Sequence, residues 1–170
     1  MKWLGAIILI IITTFIGLEY STRLKSRPKH IHQIKNALLI LEAEILYSQT
    51  KIKDAFETIS KQIPNPTKEL FYASAKDLST NKLHLFEIWE NNVQRYIERS
   101  ALTEKEKEIL LQFGKTLGQY DMTQQQKQLA VTNNHLHRLL QEAETHRDQY
   151  ANIAKSLGVL SGVFIVLLLI

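Results

Sequence analysis

The sequence carries a long apolar segment without charge near each end, and these two segments constrain the fold most. The first is the 16 residues Trp3–Leu18, WLGAIILIIITTFIGL, and the second is the 14 residues Leu157–Ile170, LGVLSGVFIVLLLI. At about 1.5 Å per helical residue, the first segment nearly crosses a hydrocarbon core about 30 Å thick. We therefore predict an N-terminal transmembrane anchor over residues 1–22, a helical domain over 23–152 and a C-terminal transmembrane segment over 153–170.

A cleaved signal peptide is the alternative interpretation of the first segment. Lys2 followed directly by an apolar run is a suitable start for such a peptide. However, no cleavage site of the small-x-small kind follows, and after a basic cluster the next acidic residue is Glu42. The sequence therefore favours an anchor that is retained.

The distribution of charge predicts how the chain lies in a membrane. The formal net charge is +4, yet residues 36–150 hold 14 Lys or Arg against 16 Asp or Glu and are slightly acidic. Because positive flanks stay on the cytoplasmic side, we expect a two-span protein of the cell membrane whose helical domain is cytoplasmic. We expect no nucleic-acid binding, since the excess basic charge lies beside the apolar segments. Most of that excess forms a basic collar of five residues, Arg23, Lys25, Arg27, Lys29 and Lys35.

Apolar residues recur at intervals of three and four along the middle of the chain, which is the spacing of amphipathic helices. No alternating stretch of useful length predicts a strand. The predicted fold class is therefore all-α, an antiparallel bundle of about six helices flanked by the two transmembrane helices. We expect the most aromatic stripe, which includes Trp89 and Tyr96, at the centre of the core. The first apolar stripe of the domain contains Ile31, Ile34, Leu38 and Leu41.

Proline and polar residues mark the first helix boundaries in this domain. We expect a break at Ser48-Gln49-Thr50 and a helix end at Pro64-Asn65-Pro66, because proline disfavours a continuing helix. Thr67 then has the side chain and the position of an N-cap. A short helix is predicted to follow it and to stop near residues 79–81.

Capping signals mark the later helices. Thr103 and Glu106 have the spacing of a capping box, which predicts the start of a helix. Gly118 stands where a helix ends in the left-handed conformation. Asp121 with Gln124 forms another cap-like pair, and nothing after it breaks a helix before Gly158. A last helix is therefore predicted from about Met122 into the membrane.

The sequence contains no convincing catalytic, nucleotide or metal motif. It has no cysteine, which excludes disulfides, thiolate zinc sites and cysteine nucleophiles. Gly114-Lys115-Thr116 lacks the earlier glycine of a phosphate-binding loop, because Ile109 occupies that position. The six histidines do not have the spacing of metal ligands on a helix. We therefore predict a protein that is not an enzyme and binds no metal or cofactor.

Two carboxylates, Glu42 and Glu44, interrupt an otherwise apolar stretch of the first stripe. Paired carboxylates can perform acid–base chemistry or bind a cation. At a spacing of two residues, however, side chains on a helix point in different directions. We interpret one of them as solvated and the other as half-buried and hydrogen-bonded.

A pair of glycines lies in the C-terminal apolar segment. Gly158 and Gly162 have the four-residue spacing that lets membrane helices approach closely. Such spacing is also common by chance in apolar runs. They are candidates for a packing face against the first segment or against another protein.

Several short stretches along the chain carry a family resemblance. They are Leu4-Gly5-Ala6, Arg27-Pro28, Leu41-Glu42-Ala43-Glu44-Ile45 with Tyr47, Phe113-Gly114-Lys115-Thr116-Leu117-Gly118 with Asp121 and Gln125-Gln126-Lys127, and Lys155-Ser156-Leu157-Gly158. Together they resemble the stage III sporulation protein AB family of endospore-forming Firmicutes. They span essentially the whole chain in one order, although each is weak alone. One departure is Thr50-Lys51-Ile52, where the family commonly has Thr-Pro-Leu.

The resemblance implies a role in the channel-like complex that joins the mother cell to the engulfed forespore. The family's helical domain is similar to the cytoplasmic domain of the type II secretion and type IV pilus platform protein. By that analogy, the chain would couple a cytoplasmic secretion-type ATPase, the sporulation AA protein, to membrane components. Self-association into a homo-oligomer stays open. The family-motif residues that become docking candidates are Glu42, Glu44, Gly114, Gly118 and Asp121.

The leading hypothesis is thus a non-enzymatic membrane platform in the mother-cell membrane around the forespore. A sensory or ligand-binding module is an alternative, because the uninterrupted last helix could transmit a signal. A membrane-bound enzyme is a third, and it would need a convergent polar pocket within the bundle.

Overall fold

A computed structural model of the chain is all-helical over the part that it describes. That part comprises the backbone of residues 2–80, 83–118 and 122–169. Side chains are described within these ranges except at 2–10, 13–14, 122, 151–152, 154–159, 161–163 and 165–169. The described backbone contains six helices and no strand, which confirms the all-α prediction. The helices are α1 (Lys2–Leu46), α2 (Ile52–Gln62), α3 (Thr67–Thr80), α4 (Leu85–Arg99), α5 (Glu104–Thr116) and α6 (Met122–Leu169).

The two membrane spans predicted over 1–22 and 153–170 are not confirmed. Within the described residues, no helix combines the length and the apolar character that crossing a bilayer requires. Many side chains of these two segments lie outside the described part of the chain.

The chain divides into two compact units. Residues 29–140 form the bundle unit, and residues 1–28 together with 141–170 form the terminal unit. In the bundle unit, α2 packs on α3, α3 on α4 and α4 on α5. Because short connections join these neighbours, they run antiparallel.

A cluster of four aromatic rings forms the centre of the bundle unit. Trp89 of α4 is fully buried, and its ring centroid lies 5.6 Å from that of Phe56, 5.7 Å from Phe71 and 5.9 Å from Phe113. One aromatic from each of α2, α3, α4 and α5 therefore meets at a single point. This confirms the aromatic stripe as the centre of the core. Around it the first stripe is buried as predicted, at Ile31, Ile34, Leu38 and Leu41.

Local signals placed several boundaries correctly. The capping box of Thr103 and Glu106 is present at the start of α5, with the Thr103 backbone N–H donating to Glu106 Oε2 at 2.7 Å. Gly118 follows α5 with a φ of +75°, as expected for a left-handed helix end. The predicted break at 48–50 lies between α1 and α2, where Gln49 adopts a φ of +50°.

One expectation for a helix start needs correction. Thr67 is the first residue of α3, but its hydroxyl does not cap that helix and instead bonds Gln33 Oε1 at 3.0 Å. Pro28 lies inside α1. A proline in a helix removes one backbone hydrogen bond, so α1 continues through Pro28 without that bond.

Candidate docking surface

The turn between α1 and α2 is built by a carboxylate of the family motif. Glu44 Oε2 accepts a hydrogen bond from the Thr50 hydroxyl at 2.9 Å, and the Glu44 carbonyl accepts the Thr50 backbone N–H at 3.0 Å. These two bonds close the chain over residues 44–50. Tyr47 lies at the outside of the turn, and 82% of its surface is exposed. Glu44 therefore shapes the turn that presents Tyr47.

A second turn lies nearby, after α5. A β-carbon at Gly118 would stand 3.1 Å from Ile52 Cδ1 and 3.3 Å from Leu85 Cδ2, so this glycine brings the turn against the starts of α2 and α4. Its backbone N–H donates to Gln125 Oε1 at 3.4 Å. The Gln125 side chain is buried and holds the start of α6 to this turn.

These turns adjoin a shallow surface at one end of the bundle unit. Leu46 of α1 and Tyr47 of the turn after it face Thr123 and Gln126 of α6 across an open cavity of about 250 Å³. We call these four residues the end surface. An exposed aromatic ring beside amide and hydroxyl groups is typical of protein-binding surfaces, which are enriched in tyrosine. The arrangement is suited to docking a partner.

The other docking candidates occupy different positions. Glu42 is half-buried on α1. Gly114 is buried beneath Trp89, where an added β-carbon would lie 2.1 Å from Trp89 Cδ1. Gly114 therefore makes room for the tryptophan, and its role in docking stays a prediction. Asp121 lies outside the described residues, as do the surroundings of Gly158 and Gly162.

The basic collar is distributed over both units. In the terminal unit, Arg23 pairs with Glu19 at 3.5 Å and Arg27 approaches Glu142 at 3.9 Å. Lys25 is exposed in the same unit. In the bundle unit, Lys29 is exposed and Lys35 Nζ lies 3.2 Å from His137 Nδ1, which joins α1 to α6.

A buried polar network, which the sequence did not reveal, ties α1 to α3 and α4. The Thr67 hydroxyl contacts Gln33 Oε1 at 3.0 Å and the Tyr96 hydroxyl at 2.8 Å. Gln33 Nε2 also donates to the Asn65 carbonyl at 3.3 Å. Burial, helped by the negative charge of nearby Glu106, raises the pKa of Tyr96 above its ordinary range. The phenol is thus kept neutral for this network.

A histidine joins α1 to the turn between α4 and α5. His30 Nδ1 accepts the Ala101 backbone N–H at 3.0 Å, which requires the neutral ring. Burial, and secondarily the charge of Lys29, lowers the pKa of His30. His30 is therefore a structural contact of the bundle unit.

Metal coordination has no support in the described part of the chain. There, no group of three or more histidine, cysteine, aspartate or glutamate side chains could hold a metal ion. The candidate functional feature among the described residues is therefore the end surface.

Comparison with known proteins gives one consistent family. Residues 2–170 match the family model described as stage III sporulation protein AB. The stage III sporulation protein AB of Bacillus subtilis (strain 168) is 35% identical over 169 residues, which cover 99% of both chains. A solved structure of a stage III sporulation protein AB superimposes with a TM-score of 0.69 at 34% identity, covering 73% of this chain and 98% of the other.

Proposed function

The chain belongs to the stage III sporulation protein AB family, and from this premise we propose that it is a non-enzymatic platform protein of the sporulating cell. Membership of the family gives it a role in sporulation. The proposed role is to couple a cytoplasmic secretion-type ATPase, the sporulation AA protein, to membrane components of the mother cell–forespore channel complex. Late forespore development depends on that coupling.

The observation that carries this proposal is the construction of the end surface. Glu44 and Gly118, both in stretches that match the family, determine the two turns that border it. Tyr47, in the first of these turns, is nevertheless left 82% exposed. Residues that order a turn while leaving an aromatic ring exposed to solvent are expected where a partner covers that ring.

The membrane part of the proposal rests on the sequence. The uncharged segments Trp3–Leu18 and Leu157–Ile170 anchor the chain in the mother-cell membrane around the forespore. The basic collar keeps the helical domain on the cytoplasmic side, where an ATPase can reach it. A reporter fused after Gly118 is then active in the cytoplasm, and an extracellular readout would invert the topology.

The experiment is a deletion strain complemented with single substitutions, scored for engulfment and for heat-resistant spores. The deletion completes engulfment and then stops before late forespore development. Tyr47→Ala fails to restore spores, because it removes the exposed ring from the end surface. Normal sporulation of the deletion strain would refute the proposal.

Tyr72→Ala is the matched control. Tyr72 is also an exposed tyrosine, at 58%, but it lies on α3 and does not border the end surface. It is expected to restore sporulation fully. Equal amounts of the two variant proteins in the membrane fraction separate a lost contact from lost folding.

A further inference from the structure

We propose that the groove between α3 and α4 is a second docking site, which binds a glutamate or aspartate side chain of a protein partner together with a neighbouring backbone N–H. The groove lies within the bundle unit and encloses about 130 Å³. It shares no lining residue with the end surface. This proposal rests on the proposed platform role only in that a partner of the platform would contribute the glutamate or aspartate.

The groove has an apolar base and a charged rim. Leu70 and Tyr96 are buried in its lining, beside Ala73. Arg95 and Arg99 stand one turn apart on α4 and line the same groove. A short aliphatic side chain ending in a charge fits such a groove, because its methylenes cover the apolar base and its head meets the rim.

The charge of the rim favours a single carboxylate. Arg99 Nη1 pairs with Glu69 Oε2 at 3.1 Å across the groove. For Arg95, no ion pair is formed with any residue that the structure describes, so its guanidinium is available for a bidentate contact with a carboxylate. Two arginines and one glutamate leave a net charge of about +1. A highly anionic membrane surface would instead be met by a polybasic patch.

Asn92 provides the acceptor for the backbone N–H of the ligand. Its Nδ2 donates to Asp77 Oδ2 and to the Ile88 carbonyl, each at 3.0 Å, and these two acceptors determine which way the amide points. Its Oδ1 is buried and has no hydrogen-bond partner among the described atoms, although Asn92 lines the groove. A buried acceptor without a donor is rare in folded proteins. A peptide N–H that enters the groove provides that donor.

The required ligand therefore combines a carboxylate, a short apolar stem and an N–H donor. An acidic residue within a polypeptide has all three. Phosphatidylglycerol offers a phosphodiester and hydroxyl donors, but no carboxylate on a short apolar stem. Free glutamate offers the carboxylate, but its ammonium group would lie beside two arginines.

The test is a titration of the full chain in detergent micelles, followed by nuclear magnetic resonance of the Asn92 side-chain amide and the Arg95 guanidinium. The probe is N-acetyl-glutamate N-methylamide, and the matched probe is N-acetyl-glutamine N-methylamide. The acidic probe is expected to shift both signals to saturation, and the glutamine probe to leave them in place. Equal shifts with both probes, or no shift at Asn92, would overturn the proposal.

Three substitutions sharpen the result. Arg95→Ala weakens probe binding by about tenfold, as the loss of a charge-assisted contact predicts. Glu69→Gln strengthens binding by about threefold, because it frees Arg99 and removes a competing carboxylate. Arg138→Ala, at an exposed arginine of α6, leaves the affinity unchanged. Weaker binding of the probe by Glu69→Gln would contradict the proposal that Glu69 competes with the ligand's carboxylate for Arg99.

Two further arms separate other ligands. Tighter binding of free glutamate than of the blocked probe would replace the peptide site by a small-molecule site and overturn the proposal. Binding of phosphatidylglycerol vesicles that Arg95→Ala abolishes would overturn it in favour of a lipid site. These outcomes do not depend on the sporulation assay, so failure of this site would not contradict the proposed platform role.

Discussion

Replacing Gly114 by alanine tests the packing of the aromatic cluster. Trp89 lies directly over this glycine, so the new methyl group would stand 2.1 Å from Trp89 Cδ1 and 2.7 Å from Nε1. The indole cannot simply withdraw, because Phe56, Phe71 and Phe113 surround it. Its N–H also donates to the Leu110 carbonyl at 2.7 Å.

The expected change in the free energy of unfolding combines two destabilising effects and one stabilising effect. Overpacking a close-packed core costs about 1–3 kcal/mol. Displacing the indole from the Leu110 carbonyl leaves a buried donor without a partner, which costs about 1–3 kcal/mol. Alanine regains about 1 kcal/mol through its higher helix propensity. Gly114→Ala is therefore expected to lower the free energy of unfolding by about 3 kcal/mol.

The assay is denaturant unfolding of the full chain in detergent, followed by the fluorescence of Trp89 in a Trp3→Phe background. The emission of the folded variant also changes, because the indole moves within its pocket. Gln112→Ala, at an exposed position of the same helix, is the control and changes stability by less than about 0.5 kcal/mol. A Gly114→Ala protein as stable as its parent would refute the close contact between Gly114 and Trp89.

Three other changes give distinct results in the same unfolding assay. Gly118→Ala loses about 1 kcal/mol, because its φ of +75° is unfavourable for a residue with a β-carbon, and an unchanged stability would contradict the left-handed turn. Thr103→Ala loses about 1–2 kcal/mol by opening the capping box with buried Glu106, and no loss would show that the box is dispensable. His30, whose lowered pKa favours the neutral ring, contributes stability that is present above the ordinary histidine range and is lost as pH falls below it. His30→Ala should therefore show a smaller loss of stability than the parent between pH 8 and pH 5, and parallel curves would contradict the His30–Ala101 bond.

The helix ends that sequence reasoning placed correctly are those decided by local chemistry. The Thr103–Glu106 box needs only residues three apart, and Gly118 needs only its own backbone freedom. The aromatic stripe at Trp89 was also predictable, because a helix must bury its apolar face. Each of these features depends on a few consecutive turns of chain.

Features that depend on contacts between distant parts of the chain could not be predicted from the sequence. Thr67 resembled an N-cap by its position, but Gln33 and Tyr96 compete for its hydroxyl across the bundle. Gly114 seemed a motif glycine available for docking, and only the position of Trp89 explains why it must be small. The lack of a hydrogen-bond donor for Asn92 Oδ1 likewise depends on how α3 and α4 pack around this side chain.

In the candidate docking surface, too, local features were predictable from the sequence and distant contacts were not. One of Glu42 and Glu44 was expected to be half-buried and hydrogen-bonded, and the structure shows that Glu44 is bonded to Thr50, six residues ahead. That Tyr47 would adjoin Thr123 and Gln126 was not predictable, because it depends on how the end of α1 meets the start of α6. Sequence reasoning could name family residues but could not separate those that build the surface from those that fill the core.

The most direct test of the platform role is the affinity of the purified full chain for the sporulation AA-type ATPase of the same organism. We predict binding by the parent and by Tyr72→Ala with equal affinity, and about tenfold weaker binding by Tyr47→Ala, as expected for an aromatic hot spot. No binding by the parent, or equal binding by all three proteins, would contradict a platform that docks its ATPase through the end surface.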